Sequence, residues 1–105
     1  MSAVRHEFLQ SPTSVRAGEL VTYGFDTTPW GAGASAAVVS AINLRTGADL
    51  TSTIFPAGTP SINGAGFYTL PQATGWVVGV TVRITAQFNV GADRYRPYCD
   101  VSVVP

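Results

Sequence analysis

The chain has 105 residues, of which 46% are hydrophobic and 11% charged, with a formal net charge of zero. That length suits one domain, spanning residues 1–105, with one core. A charged fraction far below the roughly 25% of typical soluble proteins, with no basic excess, excludes the electrostatic footprint of nucleic-acid binding.

All six basic residues are arginine. Sparse charge has two readings: a chain that lies against neighbours, or an ordinary sandwich whose outer faces carry Thr, Ser, Asn and Gln. Strand edges are usually guarded by charge, which favours the first.

The N-terminus, Met1 to Glu7, has no apolar core of signal-peptide length. No run in the chain is apolar for long enough to cross a bilayer. The expectation is therefore a product made and kept in the cytoplasm, or released by lysis, with no membrane partner. Residues 3–9 read as a first strand, or as part of an N-terminal arm within 1–19, before the turn Ser11-Pro12-Thr13. Residues 20–26 are a strand with Val21, Tyr23 and Phe25 on one face. A loop with Pro29 and Trp30 follows.

Residues 34–44 are rich in Ala and Val. Alanine favours a helix, whereas Val38, Val39, Ile42 and the flanking glycines favour a strand, which is the reading adopted. Thr46 to Asp49 is a turn, and 50–55 and 67–70 are short strands separated by a long Gly- and Pro-rich connection.

Residues 80–90 alternate without a break. Val80, Val82, Ile84, Ala86, Phe88 and Val90 are apolar, while Thr81, Arg83, Thr85, Gln87 and Asn89 are polar. A period of two predicts a strand with one buried face, long against the usual five or six residues. Gly91-Ala92-Asp93 then turns the chain back into 94–104, the signature of a hairpin. Pro97 cannot donate to a ladder and predicts an edge or a bulge there. The sum is an all-β chain: a single immunoglobulin-like β-sandwich of about seven antiparallel strands.

Chemistry-bearing residues are few. His6 is the only histidine, and as a general base it would need partners brought from elsewhere in the fold. Cys99 is the only cysteine, so no internal disulfide is possible, and its register with Val101 and Val103 predicts a buried thiol. His6, Cys99 and the scattered acids show no metal-ligand spacing. The glycines of 31–33 and 64–66 lack the Lys-Ser/Thr of a phosphate loop. No catalytic, metal or cofactor site is expected.

Trp30 and Trp76 each follow a turn, where an exposed ring stacks on a sugar or anchors a partner and a buried one fills the core. The polar face of 80–90 carries one charge, Arg83, and Arg94, Arg96 and Tyr98 lie across the hairpin. That face is either solvated or a docking surface.

The order Tyr23-x-Phe25-Asp26, Trp30, a glycine-bounded loop and a Val/Ala strand, followed by an alternating strand ending in Phe88-x-x-Gly91 and a closing strand to Val103, resembles small immunoglobulin-like proteins of tailed bacteriophages. The resemblance covers roughly residues 20–104, and the stretch 34–41 is more apolar than its pattern. It implies a non-enzymatic virion component, such as a capsid decoration, neck or tail-associated subunit. Its partners would be copies of itself or a capsid or tail protein. The contact residues expected are Val4, Phe8 and Leu9 in an arm that adds a strand to a neighbour, with Trp30, Trp76, Arg83, Arg94, Arg96 and Tyr98. The alternative is a module that holds a surface glycan.

Overall fold

The computed structural model describes residues 13–56 and 58–105. The expected strand at 3–9, and with it Val4, His6, Phe8 and Leu9, lies outside the described residues. Eight strands follow: β1 (Thr13–Arg16), β2 (Gly24–Asp26), β3 (Ser35–Asn43), β4 (Ser61–Ile62), β5 (Phe67–Thr69), β6 (Thr81–Val90), β7 (Asp93–Tyr95) and β8 (Tyr98–Val104). They form two sheets. The larger runs β1-β8-β6-β3, with β7 also paired to β6, and the smaller runs β2-β5-β4.

The alternation at 80–90 becomes β6, the centre of the larger sheet. Val82, Ile84, Ala86 and Phe88 are buried, and Thr81, Arg83, Thr85 and Gln87 on the opposite face are half-exposed. β3 pairs antiparallel with β6 from Asn43 opposite Val82 to Ser35 opposite Asn89, so 34–44 is a strand and not a helix. Near its start the register shifts between Ser35 and Val38. The extra residue there is absorbed by Ala36, at φ 57°.

Three expectations need correction. Residues 50–55 are not a strand but hold a one-turn helix, α1 (Thr51–Ile54). The Asp49 carboxylate accepts the Thr51 backbone N–H at 3.0 Å and its hydroxyl at 2.7 Å. The Leu50 carbonyl then accepts from Ile54 N–H at 2.9 Å. Local side-chain bonds thus close a turn before a ladder can form, and the turn carries Ile54 and Phe55 inward, where both are buried.

Second, the strands are not all antiparallel. β1 runs parallel to β8, with Val15 opposite Val103. Third, the return strand is two strands. Pro97 separates β7 from β8, and its buried carbonyl accepts Ala86 N–H at 2.9 Å. The ladder to β6 thus continues past a residue that has no N–H to give.

One apolar cluster joins the sheets. The buried faces of β3, β6 and β8 meet Phe25 and Tyr68 from the smaller sheet, and Ile54, Phe55, Leu70, Ala73 and Trp76 belong to the same cluster. Phe25 stacks on Tyr68 at 4.9 Å between ring centroids, and Trp30 meets Phe88 edge-on at 5.5 Å. Tyr68 also crosses the core. Its single hydroxyl proton is shared between the carbonyls of Val38 (2.8 Å) and Gln87 (3.3 Å), tying the smaller sheet to the β3–β6 ladder beside the bulge. Cys99 is buried in that core, as its register predicts.

Candidate interaction face

The outer face of the larger sheet is built by register. Thr81 stands opposite Ser102, Arg83 opposite Asp100 and Thr85 opposite Tyr98 on β8. On the other side Ile42 stands opposite Arg83, Ser40 opposite Thr85 and Val38 opposite Gln87. Period-two alternation on adjacent strands places all these side chains on the face turned away from the core.

At the centre Arg83 Nε donates to Asp100 Oδ1 at 2.8 Å and Nη2 to Oδ2 at 3.1 Å. The guanidinium carbon also lies 4.1 Å from the Tyr98 ring centroid. A forked ion pair over an aromatic face is held in one orientation. Being about one-third exposed at each partner (34% and 30%), it adds on the order of 1 kcal/mol or less to stability. Its larger effect is on the surface. The charge is neutralised in place, leaving a broad plate of Ser, Thr, Val and Ile around one locked cation.

Among the described residues the structure brings together two of the expected contact residues. Arg83 and Tyr98 touch. Arg94 stands opposite Asn89, six positions along β6 from Arg83 and therefore about 20 Å away; Arg96 follows it, and both are exposed. Trp30 is half-buried and packs on Phe25 and Phe88. Trp76 is only 5% exposed. As a contact residue it is a correction: the turn at Gly75 directs its ring into the core. Gly75, at φ +71°, lies so close to Thr53 that a Cβ there would sit 2.8 Å from the Thr53 carbonyl oxygen. Only glycine fits that approach.

One feature escaped the sequence reading. At the end where β6 begins, an open cavity of about 190 Å³ is lined mainly by Leu50, Ile54, Val77, Val80 and Val82. Its surroundings are apolar and exposed at Leu44, Val77 and Val78. A second cleft that shares Asn43 and Val80 with the cavity carries Arg45. The one local signal was Val77-Val78 between two glycines, an adjacent apolar pair that breaks the strand period.

Burial raises the Tyr68 phenol above its ordinary value, and raises that of Tyr23 to about 12 with smaller contributions from Cys99 and Glu19. The two Thr51 donors hold the Asp49 carboxyl below the usual range. Among the described residues no three His, Cys, Asp or Glu side chains group where they could hold a metal ion. No helix among them is long and apolar enough to cross a membrane. Comparison of the chain with protein-family models, with curated proteins and with solved structures finds no match.

Proposed function

We propose that this chain is a non-enzymatic structural subunit of a tailed-phage particle, an immunoglobulin-like sandwich that works through protein–protein contacts. The strand order supports the fold assignment. β2-β5-β4 corresponds to B-E-D of an immunoglobulin-like domain, and β3-β6-β8 to C-F-G.

The functional reading is carried by the outer face of the larger sheet. Among the described residues its one ion pair neutralises itself, and the side chains around it, Tyr98 apart, are small, polar or aliphatic. Interface cores are depleted of net charge while keeping Arg and Tyr, and Arg83 with Tyr98 supplies that pairing. The partners are other copies of the chain or a capsid or tail protein, in a particle assembled in the host cytoplasm. The glycan reading has less support: Trp76 is in the core, Trp30 packs on two phenylalanines, and the Tyr98 ring is covered by Arg83.

The test is mass spectrometry of density-purified particles from a strain that carries the gene. The chain is expected in the particles at a fixed ratio to the major capsid or tail protein. Finding it only in the soluble fraction of the lysate overturns the proposal. A Thr85→Glu/Gln87→Glu variant, checked for folding by circular dichroism, is expected to be lost from the particles.

A further inference from the structure

Six large apolar side chains are strongly exposed among the described residues, and four of them share one end of the molecule: Leu20, Leu44, Val77 and Val78. The hydrogen bonds define that end. Leu44 N–H donates to the Thr81 carbonyl at the start of β6, and Val80 N–H to the Val77 carbonyl. Gly79 N–H donates to the Val103 carbonyl at the end of β8. Arg16, whose turn leads through Glu19 to Leu20, stands opposite Val104. The apolar cavity opens at this same end.

We propose that this end is a two-fold self-association surface, in which Leu20 of each copy enters the cavity of the other and Glu19 of each meets Arg45 of the other. Leu20 is 62% exposed and follows an exposed carboxylate. An apolar cavity of about 150 Å³ accommodates a benzene ring, so one of about 190 Å³ takes an isobutyl group. Arg45 is exposed in the adjoining cleft, and its guanidinium has no ion-pair partner among the described residues. Apolar group and charge are thus complementary to a cavity and an opposite charge on the same end of an identical molecule. A net charge of zero brings no long-range repulsion between copies.

A small ligand could fill the cavity but would leave the exposed valines around it in water. Patches of this kind mark protein contacts. The rival geometry is head-to-tail. Phe67 stands opposite Asp26 at the far end, and its insertion would give open chains of subunits while leaving Leu20 exposed. The two-fold arrangement covers all four side chains at once.

This inference rests on the assembly reading only in that both concern contacts between proteins; the surfaces differ and so do the tests. Sedimentation equilibrium of the full chain from micromolar to millimolar concentration is expected to show a monomer–dimer equilibrium. Leu20→Asp and Val77→Asp are each expected to weaken it at least tenfold. Glu19→Arg and Arg45→Glu should each weaken it too, while the double charge swap Glu19→Arg/Arg45→Glu restores it. Circular dichroism checks that every variant folds, which their exposure favours. A chain monomeric throughout, a dimer indifferent to Leu20→Asp, or longer oligomers abolished by Phe67→Ala would each overturn the proposal. A monomeric chain that is nonetheless present in purified particles would sink this inference and leave the functional reading standing. A dimer absent from particles would do the reverse.

Discussion

Two buried tyrosines separate burial from bonding. The Tyr68 hydroxyl shares its proton between two carbonyls across the core, whereas the Tyr23 hydroxyl is buried with no partner among the described residues. Removing a bonded hydroxyl strands its acceptors, and removing an unbonded one relieves a desolvated dipole. Tyr68→Phe is therefore expected to lower stability by about 1–2 kcal/mol and Tyr23→Phe to leave it within about 0.5 kcal/mol, as read from urea midpoints. The same burial sets an alkaline limit. Both phenols have folded-state pKa values raised above the unfolded value, to about 12 for Tyr23. Their contribution is complete below the unfolded value of about 10 and is lost as pH rises through the folded one, because the unfolded chain releases these protons first. Urea midpoints are expected to hold up to about pH 9 and to fall between about pH 10 and 12. Midpoints that rose over that interval would show the tyrosines ionising more easily when folded.

At the scale of elements, legibility followed the range of the interaction that decides each one. β6 was plain in the sequence because its alternation is local and agrees with the burial of both faces. α1 was not, because Leu50 to Phe55 has strand-like composition and its turn is decided by Asp49 bonding to Thr51. The parallel pairing of β1 with β8 joins the two ends of the described chain, and no window of sequence contains both. The start of β3 is a subtler case: its alanines suggested a helix or a strand, and the answer is a strand with a bulge. Ala36 is the one non-glycine residue with positive φ among those described, and it is exposed. An L-residue in that conformation is strained by about 1–2 kcal/mol, partly offset by the greater chain entropy that glycine loses on folding. Ala36→Gly is thus expected to stabilise the protein by about 0.5–1 kcal/mol, visible as a higher melting temperature by calorimetry. A lower one would mean that the bulge is not strained.

At the scale of the whole molecule, the candidate site was half legible. The outer face of β6 follows from its polar positions, but its forked Arg83–Asp100 pair depends on a register between β6 and β8 that only the folded ladder supplies. The apolar end is assembled from four separate stretches of chain and is invisible to any reading of neighbours. What binds these parts is one continuous core, and the two tryptophans test that continuity. Trp30 packs beside Phe88 near the end of β6, and Trp76 lies buried just before its start. Between Thr81 and Phe88 the strand advances seven positions, so the two regions are about 23 Å apart. One apolar cluster joins them, so opening either end removes packing from the other, and unfolding should be a single cooperative transition. Two variants, Trp30→Phe and Trp76→Phe, each leave one fluorescent reporter. In urea at one protein concentration, fluorescence and far-ultraviolet circular dichroism of each variant are expected to give coincident midpoints. The midpoints of the two variants would differ from each other only by the cost of each substitution. If the Trp76 signal were lost before the circular dichroism of the same variant, the end carrying the cavity would be a separate, weaker unit. The apolar patch would then be a surface that opens before the sheets do, rather than one preformed for a partner.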